Sequence, residues 1–164
     1  MSAYVKLAGA ALLLIFSLYV GREYTRYVEK RLSALRGVIA LVAYARGRIE
    51  GFLTPKEGLW RDFNNEADAL APFFALINEG VCPPDAFNMK KDDLPLSREA
   101  KKILADFFSA LGRGYKESEL LLCRKTEEAL TRIYTLEEAE LPKNAKAVRV
   151  ILLAVSLGVM ILLL

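Results

Sequence analysis

Apolar positions change their spacing twice along the chain, and each change marks an element. Over residues 3–21 (AYVKLAGAALLLIFSLYVG) they are almost continuous, with one charge, Lys6, near the start. A helix over this run spans roughly 28 Å, about one hydrocarbon core, and Lys6 can snorkel into the headgroups. Beyond it, Val28, Leu32, Leu35, Ile39, Val42, Ile49 and Leu53 recur in steps of four and three. This heptad-like seam is broken only by Arg46. No proline falls within residues 3–53, so run and seam predict one helix: a membrane anchor continuing as an amphipathic stalk. A second run, residues 150–164 (VILLAVSLGVMILLL), has no charge. With Ala147, Val148 and a snorkelling Arg149 it gives ~27 Å of helix, enough to span a bilayer with little tilt. A cleaved signal peptide fits the first run poorly. Gly21-Arg22-Glu23 puts charge directly after it, where a small-residue cleavage site would be required.

Between the runs the pattern breaks into short amphipathic helices. Thr54-Pro55-Lys56-Glu57 is a capping box with proline at N1, and predicts a second helix with Leu59, Trp60 and Phe63 inward until Asn64-Asn65. A third extends from about Asp68 to Glu79, stopping at Gly80, with Leu70, Phe73, Phe74, Leu76 and Ile77 apolar and Pro72 in its first turn. Cys82-Pro83-Pro84-Asp85 opens a short fourth helix through Ala86, Phe87 and Met89. Residues 90–95 (KKDDLP) are expected to be a mobile polar linker. Ser97 caps a fifth helix with Ala100, Ile103, Leu104, Phe107, Phe108 and Leu111 inward, and Gly112-Arg113-Gly114 ends it. The last helix of the middle starts near Lys116, with Cys123, Thr126, Leu130, Ile133 and Leu136 on one face. Pro142 is expected to kink or break it before the second run. No stretch alternates as a strand would. The expected fold is all-α: a membrane hairpin of two transmembrane helices, residues 3–21 and 147–164, holding a cytoplasmic bundle of about six helices over residues 22–146.

Charge sets the expected orientation. Arg22, Arg26, Lys30, Arg31 and Arg36 follow the first run, and Lys143, Lys146 and Arg149 precede the second. By the positive-inside rule the middle is cytoplasmic and both ends lie at or beyond the far face. Residues 22–148 hold 21 basic and 20 acidic side chains, too balanced for a nucleic-acid surface. The two stretches flanking the runs differ in sign. Residues 22–61 carry nine basic and four acidic groups, and residues 115–141 four basic and seven acidic. They are expected to lie side by side, antiparallel, with charge setting the register more than the stability.

Candidate chemistry is sparse. The chain has no histidine, which removes the Ser-His-Asp and Cys-His arrangements and the usual zinc sites. Cys82 and Cys123 are the two cysteines, and in a cytoplasmic domain both are expected to be reduced. There is no glycine-rich phosphate loop. The acidic pairs Asp92-Asp93, Glu127-Glu128 and Glu137-Glu138 read as solvated surface. No catalytic, cofactor-binding or metal-binding residue is therefore assigned. Arg46 either snorkels at the seam's edge, pairs with an acidic residue of the last helix, or marks a docking surface. Ser17-x-x-x-Gly21 and Ala154-x-x-x-Gly158 are small-xxx-small spacings that permit close packing of membrane helices, within the hairpin or in a homo-oligomer.

Lys6-Leu7-x-Gly9-Ala10 through Ser17 and Gly21, Thr54-Pro55, Leu111-Gly112 before the last helix, and a Leu-Gly-containing run closing on Ile-Leu-Leu-Leu together resemble the stage III sporulation protein AB family of endospore-forming bacteria. The resemblance covers essentially the whole chain. Where that family carries Ser-Asp and then Gln after Leu-Gly, this chain has Gly114-Tyr115 and Glu119. The resemblance implies a component of the channel built between mother cell and forespore, similar to the platform protein of type II secretion machines. It further implies a cytoplasmic secretion ATPase and other channel proteins as partners, and the mother-cell membrane around the forespore as the location. At ~1.5 Å per residue the helix from Arg22 to Leu53 would carry its far end roughly 48 Å from the bilayer. The candidate docking residues at that end are Arg46, Arg48, Glu50, Gly112, Arg113 and Gly114. The alternative function is a membrane-anchored regulatory or signalling module.

Overall fold

A computed structural model describes residues 3–51, 59–60, 63 and 67–163. Among these residues there are five α-helices and no strand. They are α1 (Ala3–Gly51), α2 (Ala71–Asn78, entered through a 3-10 turn at Asp68–Leu70), α3 (Pro83–Lys90), α4 (Arg98–Ala110) and α5 (Lys116–Leu163). The protein is all-helical, as its periodicity predicts. It divides into two compact units: one built from Met1–Glu29 and Glu138–Leu164, the other from Lys30–Glu137. Helices α1 and α5 contribute to both.

In the Lys30–Glu137 unit, α1 buries Ala34, Leu35, Val38, Leu41, Val42 and Ala45. This stripe is wider than the predicted seam. The seam residue Ile39 is only half-buried, while Ala34, Val38, Leu41 and Ala45 lie beside the seam and are buried. A two-position seam serves one partner helix, whereas a broad stripe is what a core with several elements requires. On α5 the buried face is Cys123, Thr126, Leu130 and Ile133. The predicted fifth member, Leu136, is 54% exposed. One step further on, Glu137 takes the half-buried place in an ion pair with Arg31, which leaves Leu136 outside.

The short helices supply aromatic rings to this core. Phe108 of α4 lies 5.3–6.1 Å, centroid to centroid, from Trp60, Phe73, Phe87 and Phe107. Tyr44, Phe63 and Phe74 extend the cluster. A void of about 10 Å³ with an apolar lining remains among Val38, Leu41, Phe73, Phe87, Leu104 and Phe108.

Local signals set most of the helix ends. Ser97 Oγ accepts from the Ala100 N–H at 3.3 Å, capping α4. Gly80, at φ 93°, closes α2 with paired bonds from the Val81 N–H to Leu76 and from the Gly80 N–H to Ile77, both 3.0 Å.

Several expectations need correction. The capping box at residues 54–57 and Asn64-Asn65 lie outside the described residues. Leu59 and Trp60, expected on a second helix, lie in a turn, and the Trp60 carbonyl accepts the Phe63 N–H at 3.2 Å. Both are buried, so their apolar character reports core packing. The KKDDLP linker is held down, because Leu94 and the following Leu96 are buried in the core. A Lys90–Asp93 ion pair at 3.5 Å and backbone bonds from Asp93 and Leu94 to the Lys90 carbonyl add to this.

Pro142 does not break α5, which continues through it. The proline is exposed, so its ring meets the surroundings of the helix and not the core.

In the other unit, Ser17, Gly21 and Val28 of α1 are buried, as are Ala145 and Ser156 of α5. Leu12, Ile15, Phe16, Leu18 and Tyr19 on α1 are exposed, as are Val150, Ile151, Val155, Leu157, Ile161 and Leu162 on α5. Among the described residues one helix, α5, is long and apolar enough to cross a membrane, with a mean hydropathy of 2.2 over its best window. Most of that window is exposed, which a core helix of a soluble protein would not tolerate. The second span expected, over residues 3–21, is not shown among the described residues.

Candidate functional site

The entry to α5 is built around one carboxylate. Glu119 lies in the helix's first turn and is only 8% exposed. Its Oε2 accepts the Gly112 N–H and its Oε1 the Gly114 N–H, each at 2.8 Å. Two amides that would otherwise lack partners are thus satisfied by a charged acceptor, the stronger kind of hydrogen bond. Gly112 adopts φ 79°, a conformation that favours glycine. A Cβ on Gly114 would collide with Ser118 Oγ. The turn is therefore fixed in shape, and it presents Arg113, Tyr115 and Lys116 to solvent. Tyr115 is 91% exposed. Neither Glu119 nor Tyr115 stands out by sequence spacing alone.

Next to this turn, Lys116 Nζ donates to the Glu50 carbonyl at 2.8 Å, joining the start of α5 to the end of α1. One turn inward, Arg46 pairs with Glu127 of α5 at 3.2 Å. The charge that interrupts the apolar seam is thus matched by the opposite helix. Arg48 is half-buried and Glu50 exposed. Of the six docking candidates, Arg113 is the one exposed cation on the fixed turn. Between Glu119 and Glu127 on the same face of α5 lies Cys123, fully buried, with its thiol pushed up from 9.0 to about 11 by burial first and by the Glu119 charge second. Such a thiol is a poor nucleophile. Cys82 and Cys123 are both free.

Within the same unit, Arg31 grips Glu137 with two parallel bonds, Nε to Oε2 at 2.8 Å and a terminal nitrogen to Oε1 at 2.7 Å. Arg36 lies over the Tyr134 ring, 5.5 Å from its centroid, and donates to its hydroxyl at 2.5 Å. As residue number rises along α1 from 31 to 50, the partner's number falls along α5 from 137 to 116. The two helices are antiparallel, and the opposite charges of the two stretches are used pair by pair.

In the other unit the polar contacts run between the same two helices. The Ser17 and Ser156 hydroxyls meet, both buried, while Ser156 Oγ also donates to the Leu152 carbonyl at 2.8 Å. Ser156's single proton is then committed, so Ser17 donates to it. Arg149 lies across Gly21, where a Cβ would come 3.3 Å from its Cγ, and donates to Thr25 Oγ1 at 2.9 Å. Ser17 and Gly21 thus face α5, but their neighbours there are Ser156 and Arg149. Ala154 and Gly158 are exposed, with open space where a Gly158 Cβ would stand.

Such a molecule is an all-helical protein whose side-chain chemistry goes into joining helices and presenting surface, one of its units clothed in apolar side chains. A family model, stage III sporulation protein AB, matches residues 6–164. The chain belongs to the stage III sporulation protein AB family. No curated protein and no solved structure matches it.

Proposed function

We propose that the chain is a non-enzymatic platform in a secretion-like channel between mother cell and forespore. It crosses the mother-cell membrane twice and presents its helical head to the cytoplasm, where it docks a secretion-type ATPase. The two-span reading is supported by the exposed Ile15, Phe16 and Tyr19 of α1, which match the exposed apolar surface of α5. The basic clusters flanking both runs support the cytoplasmic placement.

The observation that carries the docking proposal is the turn at residues 112–115. Glu119 fixes its backbone, and Arg113 and Tyr115 project from it into solvent. Arginine and tyrosine on a pre-formed support are the residue types that dominate binding energy at interfaces, because little entropy is lost when they dock. Arg46, committed to Glu127, contributes to the head's own packing, so docking centres on Arg113 and Tyr115.

The test is co-purification of detergent-solubilised protein with the sporulation complex's cytoplasmic ATPase. Arg113→Glu combined with Tyr115→Ala is expected to cut recruitment at least tenfold, with helicity and membrane insertion unchanged. Retention at wild-type level would place the contact elsewhere. No recruitment by the wild type would refute the platform role.

A further inference from the structure

In the unit built from Met1–Glu29 and Glu138–Leu164, charge is layered along the two helices. The continuous stretch of exposed apolar residues comes first, reaching Tyr19 on α1 and beginning at Val150 on α5, with Tyr27 exposed by itself further along α1. Arg22, Lys143, Lys146 and Arg149 follow, all exposed. Glu23 is bridged to Arg26 at 2.9 Å, so those two charges offset each other. The unit's other carboxylates, Glu29, Glu138 and Glu140, lie further along the helices from the apolar surface. A layer of cations therefore borders the apolar belt with its acidic counterpart set back.

Arg149 is held in place within that layer. Thr25 spends its hydroxyl proton on the Gly21 carbonyl at 2.9 Å, so its oxygen is left to accept from Arg149. The arginine stem rests on Gly21, whose missing side chain makes the room. One guanidinium N–H is used in this contact, and the residue as a whole is exposed at the edge of the belt. A planar fork so placed fits the two oxygens of a phosphodiester.

We propose that Arg22, Lys143, Lys146 and Arg149 form a binding site for the headgroup of an anionic phospholipid, with Thr25 and Gly21 positioning Arg149. The lipid is favoured over free phosphate because the exposed apolar surface next to the cations would take its acyl chains. The inference rests on the reading of this unit as membrane-embedded.

The test is native mass spectrometry of the full chain in detergent, titrated with phosphatidylglycerol or with phosphatidylcholine, which lacks net charge. Preferential retention of phosphatidylglycerol is expected, undiminished by an equal concentration of inorganic phosphate. Removing two cations by Lys143→Gln with Lys146→Gln should weaken it about 25-fold, or ~1 kcal/mol per cation. Arg149→Gln should weaken it as well, and Arg149→Lys, which keeps the charge but loses the fork, should restore it only in part. Equal retention of the two lipids, displacement by inorganic phosphate, or an unchanged preference in the double lysine variant would overturn the proposal. Wild-type protein in vesicles separates the two readings. If alkaline carbonate extracts it from both lipids, membrane embedding itself fails. If it stays inserted in both without lipid preference, only the headgroup site fails.

Discussion

Cys123 shows how much one buried side chain owes to its neighbours. Burial and the Glu119 charge disfavour its thiolate, moving the thiol from 9.0 to about 11. Between these values the unfolded chain releases the proton while the folded chain keeps it. Stability therefore falls as pH rises through this window, by about 3 kcal/mol at most. Below pH ~9 both states hold the proton and the effect vanishes. Urea unfolding of the detergent-solubilised protein at pH 8 and above pH 10, for wild type and Cys123→Ala, isolates this contribution, since other titrations cancel in the difference. Wild type should lose more stability on going alkaline than the variant. An equal loss would mean that Cys123 is hydrated in the folded state. Glu119 illustrates the other side of residue-scale reasoning. Its bonds to Gly112 and Gly114 join positions whose closeness depends on the path of the turn. No periodicity encodes that path, whereas Ser97 and Gly80 act on their own helix ends and were legible from local sequence.

At the scale of elements, the antiparallel pairing of α1 and α5 in the Lys30–Glu137 unit was foreseeable from charge. The pairs that carry it were not, because composition gives sign without register. Arg31–Glu137 is the strongest of them by geometry, a two-bond contact with side chains 22% and 12% exposed. A double-mutant cycle with Arg31→Met and Glu137→Gln should give a coupling of about 1–2 kcal/mol, above the range of exposed pairs. That coupling should persist at high salt, because partly buried charges are screened less. A value near zero would reduce the pair to a surface contact. Where the sequence expectation failed, tertiary packing competed with local pattern. Leu59 and Trp60 look helical by spacing yet lie in a buried turn, and the inward face of α5 steps by four from Ile133 to Glu137, leaving Leu136 outside. Of the two outcomes expected at Pro142, a kink or a break, the break does not occur. The proline's local penalty is real, but at an exposed position within a long helix it does not end the element.

For the whole molecule the open choice is between one membrane crossing and two, and the chain's own cysteines offer a way to decide. Cys82 is exposed on the head, while Cys123 is buried, so a maleimide that cannot cross membranes reports on Cys82 alone. With the head cytoplasmic, Cys82 should be protected in intact cells and labelled after permeabilisation. A second reporter, Ser2→Cys in a Cys82→Ser background, examines the first apolar run. If α1 crosses, this thiol should be labelled from outside in intact non-sporulating cells expressing the chain, where the far face of the membrane is open to the medium, the reverse of Cys82. Protection of both positions until permeabilisation would leave α5 as the single crossing helix and make α1 a helix packed on the cytoplasmic side. In that arrangement Leu12, Ile15 and Phe16 would need some cover other than lipid chains, since a face of that size is not left in water. Labelling of Cys82 in intact cells would invert the orientation and remove the cytoplasmic ATPase from reach of Arg113 and Tyr115, ending the platform reading at its first requirement.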